Sequence, residues 1–204
     1  MASICTPHIW PAQFPDIVPQ RVSQWTQTLQ DAIDQANLDY AVWPGGEVRI
    51  ASDIVAWMQN HGVPTLGESR CVLLDGWFDR FPQWFFEPFE WLTKRGYRAI
   101  LAHPERMAPS DPNAWEDHVG RLERMGVWLQ GNLRCFTGED GYHADQTVRR
   151  LMQQQRYQLL ALDVHHAYDL PYRLDGLSLA VNEFGPQLVE DLITVAPREL
   201  VLMG

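Results

Sequence analysis

Imidazoles, carboxylates and one guanidinium recur in this chain directly behind short apolar runs. His8 follows Ser3–Thr6, Glu47 follows Tyr40–Trp43, and Asp75 follows Cys71–Leu74. His103 and Arg106 follow Arg98–Ala102, Asn132 follows Val127–Gln130, and Asp163 and His165 follow Leu159–Leu162. Loops are polar, so any one such case is ordinary. The generality is not: nearly every run ends in a residue able to bind a cation, which points to a shared site. Histidine with Asp and Glu, and without cysteine, suits Mn, Fe, Zn or Mg better than a thiolate-loving ion. Several carboxylates beside several imidazoles suggest more than one ion, because a carboxylate can bridge two. Such a cluster lowers the pKa of a bound water and clamps the attacking and leaving oxygens of a phosphoryl group. Arg106 adds a planar fork that matches phosphate oxygens. The combination points to phosphoester hydrolysis rather than redox chemistry.

Rival chemistries find no residues. No cysteine is followed six residues later by arginine, and there is no G-x-S-x-G elbow, P-loop or G-x-G-x-x-G fingerprint. Gly45-Gly46 reads as a tight turn that lets Glu47 point inward, rather than as a phosphate cradle. His61 falls at a helix C-terminus, where a cation is favourable. His118, His143 and His166 read as structural, and Glu105 as a hydrogen-bonding group of the fold.

The elements that must position these groups alternate between strand and helix. Helices are predicted over Asp16–Asn37, from Ser52 to Gly62, over Pro82–Arg95, from Asp111 or Ser110 to Gly126, over His143–Arg156 and over Leu174–Ile193. The first carries Val18, Val22, Trp25, Leu29 and Ile33 at helical spacing. Strict alternation predicts an α/β protein with a parallel sheet, open or closed into a barrel, and in such barrels the strands' C-terminal ends build the active site. The aromatic run Trp77, Phe78, Phe81, Trp84, Phe85, Phe86, Phe89 and Trp91 reads mainly as core packing. The lesser reading puts part of it at the rim, stacked on a substrate ring or a partner subunit.

At 204 residues and 46% hydrophobic, the chain suits a single domain over 1–204. A net charge of -10 without a Lys/Arg run argues against a nucleic-acid partner. It is compatible with a cation-filled site, since bound metal reverses the local field. No apolar run approaches the ~20 residues of a membrane span, and Met1–Pro7 lacks the features of a secretory signal. Cys5, Cys71 and Cys135 form neither a disulfide framework nor a CxxC knuckle, which suits reduced thiols in a cytoplasmic protein.

The order of these motifs resembles the tyrosine phosphatases of the PHP (polymerase and histidinol phosphatase) superfamily that are linked to capsule and exopolysaccharide synthesis in bacteria. Ile100 to Arg106 resembles the apolar run plus HPER of that family, and Ile4-Cys5-Thr6-Pro7-His8 its TPH strand. Gly46-Glu47, Val63 to Leu66 and Ser69-Arg70 are similar to one continuous segment. Gln130-Gly131-Asn132, Leu162 to His165 and Ala196-Pro197-Arg198 resemble its QVN, SDxH and NPR motifs. The resemblance implies a distorted (β/α)7 barrel, here apparently lacking its first β/α unit. It implies two or three divalent ions, often manganese, with Fe, Co or Zn as other occupants. By position, His8, Glu47, Asp75, His103, Asp163 and His165 would be the ligands, with Asp75 where the family has Glu. Arg106 would orient the phosphate, and phosphotyrosine on a kinase of polysaccharide export would be the substrate; a homo-oligomer is left open.

Two departures stand out. The family opens with a D-x-H-x-H strand, and no His-x-His pair occurs in this sequence. A barrel short of one strand exposes edges, which favours a start further upstream over a genuine loss. The family's second phosphate-binding arginine falls at Leu170, and Arg173, slightly later, is either its substitute by loop rearrangement or a surface residue. Two other functions therefore stay open: an impaired relative that acts by binding a partner kinase, and a hydrolase of a small phosphoester.

Overall fold

A computed structural model describes residues 2–107 and 111–202, so the expected capping role of Ser110 lies outside the described residues. The chain packs into two compact units: residues up to Asp75, Trp84–Ala99 and those from Leu200 on; and Gly76–Gln83 with Ile100–Glu199.

The first unit holds β1 (Ala2–Cys5), β2 (His8–Ile9), α1 (Pro19–Gln35), β3 (Ala41–Pro44), β4 (Glu47–Arg49), α2 (Ile54–His61), β5 (Cys71–Asp75), α3 (Glu87–Lys94) and the start of β6 (Arg98–Ala102). Strands β1 and β3 form a parallel ribbon with Ser3 opposite Val42. A second parallel ladder runs from β2 through β4 to β5. It reaches β6 where the Arg98 amide donates to the Arg70 carbonyl at 2.8 Å. The runs expected to deliver His8 and Glu47 stop short of them, at Cys5 and Pro44, and each residue opens a short strand of its own. Gly45-Gly46 separates β3 from β4 without a left-handed backbone. A side chain at Gly46 would instead run into Ile9 Cδ1, so close packing, not turn conformation, selects glycine there.

Helix α1 does not bury the expected stripe. Trp25 and Leu29 are each 45% exposed, while Val22 and Thr26 are buried. Gln30 sets this rotation: its amide donates to the Tyr40 carbonyl and accepts from the Val42 amide, which ties the helix to β3. Polar backbone groups at a strand end need partners, and one glutamine supplies both. Helix α2 stops at Gly62, whose φ of 94° needs a residue without Cβ. Phe85, Phe89 and Leu92 are fully buried, as are Val72 and Leu74 of β5. Each such side chain contributes roughly 1.5–3 kcal/mol.

The second unit continues β6 and adds α4 (Pro112–Arg124), β7 (Trp128–Asn132), α5 (Tyr142–Gln153), β8 (Leu159–Ala161), α6 (Leu170–Phe184), α7 (Pro186–Glu190) and most of α8 (Ala196–Leu202). Strands β6, β7 and β8 pair in parallel, with Ile100 opposite Trp128 and Asn132 opposite Ala161. Asp111 caps α4 by accepting from the Asn113 amide at 3.0 Å. The single helix expected over Leu174–Ile193 is broken: α6 begins earlier and ends at Gly185 (φ 88°), and Pro186 opens α7. Ala196-Pro197-Arg198, expected as a closing turn, starts α8 after a π-helical stretch, Asp191–Val195.

Candidate metal and phosphate site

In the first unit the ladder register brings the candidate residues into pairs. His8 lies opposite Glu47 in the β2–β4 pairing, and its Nε2 sits 3.2 Å from Glu47 Oε2. Glu47 is 6% exposed, and its amide donates to the Pro7 carbonyl. Two residues on, Arg49 shares the face of Glu47 and lies opposite Asp75 in β5. Its Nη1 donates to Asp75 Oδ2 at 2.8 Å, and its guanidinium lies 5.2 Å over the Trp10 ring. Asp75 thus has a cationic neighbour in Arg49, and Glu47 has the His8 imidazole within hydrogen-bonding reach, as buried carboxylates need partners.

In the second unit, Asp163 is the hub. Its Oδ2 accepts from Asn132 Nδ2 at 2.7 Å and from Arg106 Nη1 at 3.5 Å, and Arg173 Nη1 lies 3.9 Å away. Arg173 belongs to the first turns of α6 and is only 4% exposed, so it faces this cluster rather than solvent. His165 is more open; its Nδ1 lies 3.1 Å from the Asp163 carbonyl. Arg106 is held from two further sides: Asp140 Oδ1 is 3.9 Å from its Nη2, and the Trp77 ring lies 4.5 Å below its Cζ. His103, buried at the end of β6, meets the Trp77 ring edge-on at 6.5 Å.

The backbone sets two of these candidates apart. Four non-glycine residues among those described have positive φ: Asn37, Gln155, His103 (31°) and Asp163 (51°). Asn37 and Gln155 follow the ends of α1 and α5, where a left-handed residue is a common helix stop. His103 and Asp163 instead follow strands. A side chain in that conformation costs on the order of 1 kcal/mol, and such strain concentrates at functional sites.

Beneath the hub lies a buried polar network. Glu105 has no solvent exposure; it accepts from the Asn132 amide at 2.7 Å and from the Tyr157 hydroxyl at 2.7 Å. Burial pushes the Glu105 carboxyl above its ordinary value, opposed by those two donors. Burial first, then the neighbouring Glu105, raises the Tyr157 hydroxyl well above its own, so it remains a donor. Asn132 also accepts from the Arg134 amide at 3.0 Å, which fixes the amide that reaches Asp163. The remaining histidines make structural contacts: His61 stacks on Trp57, His118 on Phe81 and His166 on Tyr168, and His143 Nε2 lies 3.1 Å from the Met107 carbonyl.

Arg49 and Asp140 were not singled out as site residues by sequence reasoning, and Trp77 entered only through the lesser reading of the aromatic run. Arg49 gave little signal, because the three-residue strand that puts it on the face of Glu47 is too short to show a period. Asp140 carried none, because its approach to Arg106 depends on the 3-10 turn Leu133–Thr137 that precedes it.

Related proteins carry the same fold. A solved structure described with YwqE from Bacillus subtilis and CpsB from Streptococcus pneumoniae, as metal-dependent tyrosine phosphatases, superposes with a TM-score of 0.75 at 22% identity. It covers 91% of this chain and 74% of that one, and shows an α/β fold of parallel strands and helices. CapC of Staphylococcus aureus is 23% identical over 174 residues, covering 85% of this chain and 67% of CapC. The tyrosine-protein phosphatases YwqE and CpsB are 23% and 21% identical, over 83% and 80% of this chain and 66% and 69% of their own length. The chain thus spans about two thirds of these curated relatives. No helix among the described residues is long and apolar enough to cross a membrane. The family model for capsular polysaccharide synthesis, CpsB/CapC, matches residues 1–202. With nearly its whole length accounted for by that match, the chain belongs to the CpsB/CapC family of capsular polysaccharide synthesis.

Proposed function

We propose that this chain is a metal-dependent phosphoesterase acting on phosphotyrosine in protein, in the service of capsular or exopolysaccharide synthesis. The observation that carries the reading is the left-handed backbone at His103 and Asp163, where two candidate ligands are held in a costly conformation at strand ends. The likeness to YwqE and CpsB, which are described as metal-dependent tyrosine phosphatases, supports it. In its finer form the reading includes a PHP-type distorted (β/α)7 barrel.

The donor set fits divalent cations. His8, Glu47, Asp75, His103, Asp163 and His165 offer imidazole nitrogens and carboxylate oxygens, the set that suits Mn2+ and also Fe, Co or Zn. Two or three ions are proposed, and they would supply an activated water and neutralise phosphate charge. The chain's own residues do the rest. Arg106 binds phosphate oxygens through its planar fork, and Asp163 and Asp140 fix that fork in place. Arg173 adds a second positive charge against Asp163. Asn132 holds the Asp163 carboxylate in one orientation, and Glu105 holds Asn132. Preorganised donors of this kind stabilise charge that develops on a transferring phosphoryl group.

The test is hydrolysis of an aryl phosphate with added manganese and with chelator, for the native chain, His103→Ala and Asp163→Asn. The expected result is metal-stimulated turnover that falls about 100-fold or more in both variants. Turnover that survives both substitutions rules out the site.

A further inference from the structure

We propose that Trp77 is a specificity-determining residue of this site: its ring is the surface that favours an aryl phosphate over an alkyl one. The inference rests on the phosphoesterase reading above and adds the basis of its substrate preference.

Trp77 stands two residues beyond the end of β5, yet the residue is 50% exposed. A large apolar ring left half in water forgoes burial energy, so its position needs a reason. Its neighbours supply one. The Arg106 guanidinium lies over the ring at 4.5 Å, and the His103 ring meets it at 6.5 Å and 68°. The same guanidinium is gripped by Asp163 and Asp140. Trp77 and the phosphate fork are therefore one assembly, with a cation–π contact joining them.

An aryl ester places a ring directly on a phosphate oxygen. A phosphate held by Arg106 would bring that ring beside the open part of Trp77, where offset or edge-on packing is favourable. A phosphoserine carries only a methylene at that place and gains nothing comparable. The arrangement recognises the ring and the phosphate together, which is the chemistry of phosphotyrosine. Phe78 and Phe81 do not share the role: their rings are only partly accessible, and Phe81 is stacked on His118 at 4.2 Å.

The experiment compares the native chain with Trp77→Phe and Trp77→Ala, using a phosphotyrosine peptide and a phosphoserine peptide of otherwise identical sequence. Both manganese-dependent kcat/KM and equilibrium binding of each peptide to the manganese-loaded protein are measured. The expected result is about a tenfold loss for phosphotyrosine in Trp77→Ala, mostly in KM, with little change for phosphoserine and recovery in Trp77→Phe. Equal losses on the two peptides would reduce Trp77 to a support for Arg106 and overturn the proposal, as would no loss on either. If the native chain hydrolyses neither peptide, the phosphoesterase reading fails on its own. The binding preference then decides the role of Trp77: a preference for phosphotyrosine that Trp77→Ala abolishes upholds it, and no preference overturns it.

Discussion

In the proposed site single side chains carry most of the chemistry, and the buried Glu105 carboxyl supports them without access to substrate. Its two donors, the Asn132 amide and the Tyr157 hydroxyl, stay buried when it is removed. Glu105→Ala should therefore cost about 2–4 kcal/mol in urea unfolding, the price of two stranded donors. The pH dependence has a definite sign. Burial raises the carboxyl above its ordinary 4.5, so folding takes up a proton in that range. The stability this contributes is whole below about 4.5 and is lost as pH rises through the folded value. Glu105→Gln never ionises. Stepwise unfolding from pH 4 upward, on the order of one unit per step, should show native stability declining relative to this variant. His103, Arg106 and Asp163 could be nominated from the sequence because each follows a strong apolar run. Arg49 could not, because its partner Asp75 is fixed only by the ladder register.

Elements decide where those side chains arrive. Helix α6 carries Arg173, and it lies closely against the turn Leu133–Thr137 through Gly176. A Cβ at Gly176 would overlap the Leu133 carbonyl oxygen and stand 2.7 Å from its carbon. The obstacle is backbone, so it cannot swing aside. Gly176→Ala should destabilise by roughly 1–3 kcal/mol and displace Arg173, lowering both Tm and kcat/KM. A thermal melt beside a kinetic assay checks the coupling, and a variant with unchanged Tm sinks it. The longer strands were readable from apolar runs; β6 matches its expected bounds. Strands β2 and β4 were not, since at two and three residues they are too short to show a period. The break in the last long helix was written in Gly185-Pro186, a pair that should outweigh apolar spacing.

At the scale of the whole molecule, cation binding and stability are linked. A ligand held only by the folded state raises Tm, and saturating manganese at about 100 times its Kd contributes about 2.7 kcal/mol. For a chain of 204 residues that corresponds to a shift of roughly 5–10 °C. Calorimetry with chelator and then with manganese restored should reveal it, and identical melts would argue against a resident ion. The acidic balance of the chain was plain from composition, whereas its division into two compact units left no mark as a linker. The positive φ angles at positions 103 and 163 also bear on how this protein tolerates change. Glycine relaxes such a conformation at no steric cost. Drift under pressure for heat resistance alone would thus be rewarded for erasing two side chains on which the proposed chemistry rests, and a lineage that no longer used that activity would lose them early.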